Sequence, residues 1–338
     1  MDPSDIALGQ AIIVDWTPAQ YFADRTALTR SALWLLADNP AEFERHWECG
    51  ESRPDMSSVS MDFGTHGHFA ILEPDEWERR LGLPVPPKPL KGKQVDKLLA
   101  LAAKCEISRD ELLKMIPANT DAWHSAVAMR EKLLDASIPD RINIGLFDYL
   151  RLLCVLRSVW AHPQARTILR APGPILPTGE LVRGIEQTII WREPTSGLLV
   201  KVRVDKLADI SPEAAADVEQ LDAGIGVTDI KTMRHKGRRT PWMFMKSAKD
   251  LGYHVQDALY RDAVQAAFPS ELVNFYFIAI CSEGDFETST WRLPDEAVEQ
   301  GREFYQQQLL DIRERRFTYD WRHAYTRGVQ TVPWSYRR

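Results

Sequence analysis

The chain has 338 residues, 44% of them hydrophobic and 27% charged, and 42 basic against 48 acidic side chains leave a net charge of −6. A chain of this length buries a large core as one domain or two small ones. The acidic balance speaks against a module that coats nucleic acid by charge alone. No apolar run reaches the length of a membrane span, and Met1-Asp-Pro-Ser-Asp5 lacks the basic and apolar start of a secretory signal. A cytoplasmic protein is expected.

Cys49, Cys105, Cys154 and Cys281 are widely spaced with no Cys-x-x-Cys pair. That pattern argues against a zinc ribbon, an iron–sulfur cluster or a disulfide scaffold, and reduced structural thiols are expected.

In chain order, Thr29-Arg-Ser31 before Ala32–Leu36 predicts a capped helix that stops ahead of Asn39-Pro40. A second helix carries His68–Leu72 and ends near Glu73-Pro74. Pro84–Pro89 is a stiff connection. Apolar spacing of three and four predicts further helices within Val95–Ala103, Leu112–Ile116 and Phe147–Val159.

From about residue 184 the period changes to two. Ile185–Trp191, the turn Pro194–Gly197 and Leu198–Val204 predict a hairpin. An acidic loop, Ser211–Asp222, leads to a third strand, Gly224–Thr232. A helix over Lys246–Phe268, strands over Leu272–Ser282 and Phe286–Leu293, and a helix over Pro294–Arg315 follow, before an aromatic and Arg-rich tail. The order predicts an α/β core over 171–338, with a mixed sheet flanked by helices, and a helical N-terminal elaboration over 1–170.

Alternate residues of a strand share a face. Lys201, Arg203 and Asp205 therefore point together, as do Val227, Asp229 and Lys231, and strand pairing can bring Asp205 beside Asp229 and Lys231. Two carboxylates and an ammonium on one sheet face call for compensation if buried. A hard divalent cation, Mg²⁺ or Mn²⁺, supplies it and offers phosphodiester chemistry. Taken alone, Asp-x-Lys is more commonly an exposed cross-strand ion pair. Tyr253, Gln256 and Tyr260, at i, i+3 and i+7, line one helix face. Tyrosines at that spacing are commonly core, but the amide of Gln256 needs partners.

Six segments then occur in order: Gly64-Thr-His-Gly-His-Phe-Ala-Ile-Leu-Glu-Pro74, Ala161-His-Pro-Gln-Ala165, Glu186 at the start of the hairpin, Val202-Arg-Val-Asp205, Asp229-Ile-Lys231, and Gly252-Tyr-His-Val-Gln-Asp-Ala-Leu-Tyr260. Together they resemble the PD-(D/E)xK nucleases, and within them the RecE-like exonucleases, over about Thr29 to Trp334. Two features depart from the group. The gap between Asp205 and Asp229 is long, and Arg203-Val-Asp205 stands where Arg-Pro-Asp is usual.

The resemblance implies a restriction-endonuclease-like fold in which both parts of the chain form one compact nuclease domain. It implies a 5′-to-3′ exodeoxyribonuclease that acts on duplex DNA ends and exposes single strands for recombination, in a bacterial or phage-infected cell. It further implies a homo-oligomeric ring and a single-strand annealing partner. Asp205, Asp229, the Ile230 carbonyl and His68 would hold Mg²⁺, with Mn²⁺ as a substitute, and Lys231 would be the catalytic lysine. Glu186 would hold a metal water or second ion, unless it is simply a polar residue on the outer face of the hairpin. His66, two residues from His68, points elsewhere on the helix. Gln256 would contact the scissile phosphate or a terminal base, with Tyr253 and Tyr260 beside it. Arg234, Lys236, Arg238 and Arg239 would touch the DNA backbone. Two other readings stay open: a noncatalytic DNA-binding or assembly protein on the same scaffold, and an endonuclease or trimming enzyme of that fold.

Overall fold

β-Branched and aromatic runs build a six-stranded sheet at the centre of the computed structural model, which describes residues 3–51, 59–81, 84–133, 138, 141–234 and 240–322. The strands are β1 (Ala11–Val14), β2 (Ile185–Arg192), β3 (Leu199–Ile210), β4 (Gly224–Met233), β5 (Val273–Cys281) and β6 (Thr288–Trp291), paired in that spatial order. All neighbours are antiparallel except β4 and β5, which run parallel. The β2–β3 turn is held by Glu193, whose fully buried carboxylate accepts the N–H groups of Thr195 and Ser196 at 2.9 and 2.6 Å. β5 is buried along its whole length, as a central strand covered on both faces must be, and its sequence is accordingly an almost unbroken apolar run.

The helices that precede β2 are α1 (Pro18–Ala23), α2 (Arg30–Asp38), α3 (Pro40–Phe43), α4 (Val59–Leu72), α5 (Pro74–Leu81), α6 (Lys93–Lys104), α7 (Arg109–Met115), α8 (Thr120–Leu133), α9 (Leu146–Ala161) and α10 (Pro163–Arg170). A short α11 (Pro212–Ala216) lies in the acidic loop. α12 (Thr240–Asp250) and α13 (Tyr253–Ala267) make the crossover between β4 and β5, and α14 (Asp295–Thr318) follows β6.

Each face of the sheet buries its own core. Val200, Val202, Val204, Val227, Phe275 and Phe277 pack with Leu33 and Leu36 of α2 and with residues of α13 and α14. On the opposite face Ile230, Ile278 and Ile280 pack with Phe63, Ala70 and Ile71 of α4 and with Leu152, Val155 and Val159 of α9. α6, α7 and the start of α9 form a smaller cluster of their own around Leu98, Leu112 and Leu150. Among the described residues no helix is long and apolar enough to cross a membrane.

The alternation expected for the strands is realised, and the capped helix begins at Thr29, whose side chain accepts the Ala32 N–H. Two expectations need correction. The N-terminal part is not purely helical, because β1 joins the sheet edge against β2. Four residues are too short a run to stand out as a strand, and it is the β2 edge that draws them into pairing. The single helix expected over Lys246–Phe268 is two, broken at Gly252, which adopts a left-handed φ of 62°. Two of the free cysteines, Cys105 and Cys154, place their Sγ atoms 2.8 Å apart between α6 and α9. The tail beyond Arg322 lies outside the described residues.

Candidate active site

β3 and β4 pair only from Lys206–Thr228 to Ile210–Gly224. Beyond that point they part, and Asp205 stands in the fork, where its Oδ2 accepts the Ile230 N–H at 2.7 Å. On the other side of β3 the ladder passes from Ile185–Lys206 to Gln187–Val204 and leaves out the Glu186 position opposite Asp205. Glu186 takes a left-handed φ of 49° there, a conformation that costs a non-glycine residue about 1–2 kcal/mol. Arg203 Nε lies 2.6 Å from Glu186 Oε2 and holds it.

Helix α4 brings His68 to the same place. Gly64 and Gly67 permit the approach, for a Cβ on Gly64 would stand 3.1 Å from Thr232 Oγ1 of β4, and one on Gly67 would touch Leu152 and Thr232. His68 Nδ1 lies 3.5 Å from Asp205 Oδ2. One ligand atom each from His68, Glu186 and Asp205 lie within 4.8 Å of one another. Burial, joined by the negative charges of Asp229 and Glu186, pushes the Asp205 carboxyl up to about 7 against the opposing influence of His68.

The second half of the site comes from the opposite face. Gln256 of α13 donates Nε2 to Asp229 Oδ1 at 2.5 Å and accepts Lys231 Nζ on its Oε1 at 3.1 Å. Lys231 Nζ also lies 2.6 Å from Asp229 Oδ2 and 4.8 Å from the centre of the Tyr253 ring. The partners that the buried amide of Gln256 requires are thus the two residues of the Asp-x-Lys element. Burial first, and then the Asp229 charge, push the Tyr253 hydroxyl up to about 12.

The structure therefore brings His68, Glu186 and Asp205 together, and Asp229, Lys231 and Gln256 together, on the two flanks of one fork. Ile230 contributes its N–H, to Asp205. Tyr253, expected beside Gln256 at the DNA, lies mostly within the core and shows only an edge to the surface. It is 5% exposed, stacks on Phe277 and packs on Phe244, and its ring lies under the Lys231 ammonium. Gln256 is buried between Asp229 and Lys231, and Tyr260, partly buried, packs edge-on against Phe275. Arg234 is exposed at the end of β4, whereas Lys236, Arg238 and Arg239 lie outside the described residues.

Residues 176–318 match a family described as a PDDEXK-like domain of unknown function. Over those residues the chain has a PD-(D/E)xK-like α/β fold. Its mixed sheet, its forked β3–β4 pair and its Asp-x-Lys strand are the PD-(D/E)xK features of this chain. A solved structure of a candidate exonuclease from Eubacterium rectale superposes with a TM-score of 0.46 at 9% identity, over 89% of this chain and 87% of that one. No curated protein matches the chain.

Reading from sequence placed Arg203 and Lys201 on the face of Asp205 but missed their partners. Arg203 anchors Glu186. Lys201, 1% exposed, donates to the carbonyls of Tyr21 and Asp24 and to the Asp24 carboxylate, and so fastens α1 beneath β3. The signal was available, since both share the face of Asp205, but which acid each would meet depends on strand register.

The donor set suits a hard divalent cation. Two carboxylates and an imidazole converge, and a cation would offset the burial, and with it the neighbouring negative charges, that raise the Asp205 carboxyl. An imidazole donor is better matched to Mn²⁺ than to Mg²⁺, and both accept the carboxylates.

Proposed function

We propose that the protein is a metal-dependent deoxyribonuclease that hydrolyses phosphodiesters at duplex DNA ends, in the 5′-to-3′ direction, to expose single strands for recombination. The observation that carries this reading is the meeting of the His68–Glu186–Asp205 cluster with the Asp229–Lys231–Gln256 network in the β3–β4 fork. A divalent cation held by His68, Glu186 and Asp205 would supply positive charge to the scissile phosphate and acidify an attacking water. Lys231 offers an ammonium for the charge that develops on the phosphoryl oxygens, and Asp229 and Gln256 fix its position. Arg203 keeps Glu186 turned into the site. The end preference, the polarity, the ring-shaped oligomer and the annealing partner rest on the sequence resemblance.

The test is digestion of linear and covalently closed duplex DNA with Mg²⁺, with Mn²⁺ and with EDTA, by the wild type and by Lys231→Ala. Metal-dependent loss of the linear substrate alone, slowed at least about 100-fold in the variant, is expected. Cutting of the closed circle would replace the exonuclease reading with an endonuclease. Failure to cut either substrate by folded protein would overturn the enzymatic reading.

A further inference from the structure

The Lys231 side chain is 20% exposed and lines a groove of about 490 Å³ that runs between α2 and the turn joining α12 to α13. Arg30, Trp34 and Leu35 form one wall, and Leu251 and Tyr253 form the other. Trp34 is out of keeping with its helix. α2 buries Ala32, Leu33, Leu35 and Leu36, yet Trp34 is 37% exposed and looks into this groove.

The indole is nevertheless held in place. A Cβ on Gly252 would fall 2.4 Å from its ring, so the helix break at that residue clears the seat for one edge of the indole. Phe304 packs against it at 5.3 Å between ring centres, and the Arg30 guanidinium lies 5.9 Å from its centre. Arg30 in turn is fixed by donating to the carbonyls of Leu251 and Gly252. Asp250 at the rim is paired with Lys246. The groove thus presents an immobilised aromatic face, a guanidinium and the exposed part of Lys231 along one wall-to-wall path. Those are the groups that bind a nucleobase and its backbone, by stacking and by charge.

We propose that this groove is a nucleotide subsite in which Trp34 stacks on the base next to the phosphodiester held at Lys231. The inference rests on the nuclease reading for the position of that phosphodiester. Stacking on an aromatic face is available to any base but requires that the base has left its own stack. The ligand is therefore an unpaired nucleotide, and the strand enters this side of the site frayed from its complement.

The experiment reads binding separately from cleavage. A single-stranded oligonucleotide carrying 2-aminopurine is titrated into wild type, Trp34→Ala and Trp34→Phe without divalent metal, and anisotropy and quenching are followed. Duplex kinetics with Mg²⁺ are measured alongside. Wild type should bind and quench. Trp34→Ala should bind about tenfold more weakly, lose the quench and raise KM more than it lowers kcat, while Trp34→Phe stays within about threefold of wild type. Should Trp34→Ala fail to fold, Trp34→Leu, which keeps the apolar packing without the π face, decides the point.

Equal affinity and equal quenching in a folded Trp34→Ala would overturn the subsite and leave the nuclease reading standing. Trp34-dependent quenching by a wild type that never cuts DNA would do the reverse. Neither binding nor cutting by folded wild type would overturn both.

Discussion

Asp205 Oδ2 accepts the backbone N–H of Ile230 across the gap where β3 and β4 have ceased to pair. A single side chain thus replaces the missing ladder and at the same time fixes a carboxylate in the fork. Asn can still accept the N–H but carries no charge. Asp205→Asn is expected to stay folded, with a melting temperature within a few degrees of wild type. Metal-dependent cleavage should fall at least about 100-fold, and calorimetric titration with Mn²⁺ should show a matching loss of affinity. Unfolding of the variant at ambient temperature would show that the charge, not the acceptor, holds the fork.

Lys231 and Gln256 should separate in magnitude. Lys231→Ala removes the ammonium itself and is expected to lower kcat by roughly 10²–10³-fold. Gln256→Leu keeps the shape of the buried side chain and leaves Lys231 and Asp229 paired, and a loss of about 10–100-fold in kcat with little change in KM is expected. Single-turnover cleavage of a labelled linear duplex measures both. A Gln256→Leu enzyme as fast as wild type would show that Lys231 needs no support from α13.

Gly64 sets how closely α4 lies on β4. Gly64→Val adds three carbons against Thr232 and should push the helix, and His68 with it, away from Asp205. A stability loss of about 1–3 kcal/mol in urea unfolding is expected, together with weaker Mn²⁺ binding. Unchanged metal affinity in the folded variant would remove His68 from the ligand set.

Asp257, fully buried on α13, accepts both Nε and Nη2 of Arg261 on Oδ1. Burial outweighs that pairing and pushes its carboxyl up to about 6 from an ordinary 3.8. Between those values the folded protein holds a proton that the unfolded chain releases. The contribution of this group to stability is therefore full below about 3.8 and is lost as pH rises through 6. Asn mimics the protonated form. Relative to wild type, Asp257→Asn should gain about 1 kcal/mol on going from pH 5 to pH 7.5, by urea titration at the two pH values. A pH-independent difference would sink the assignment.

What was legible in the sequence was local. A period of two put Asp205, Asp229 and Lys231 on known faces of β3 and β4, and helical spacing put Gln256 on the inward face of α13. The mixed α/β core followed from the order of those patterns. The rest depended on long-range geometry. β1 forms because an edge of β2 is there to receive it. Gly252 breaks the helix where the Trp34 indole occupies the space a side chain would need. The pairing of Arg203 with Glu186 requires the irregular register around Glu186, and the meeting of Cys105 with Cys154 requires the docking of α6 on α9.

His68 and Gln256 approach the fork from opposite faces of the sheet, one from the first quarter of the chain and the other from its last third. The His68–Glu186–Asp205 half needs α4, β2 and β3, whereas the Asp229–Lys231–Gln256 half needs β4 and α13, so the full constellation exists only once helices have closed on both faces of the sheet. A fragment that stops before α13 would therefore lack the amide that bridges Asp229 and Lys231, and its lysine would be held from one side only.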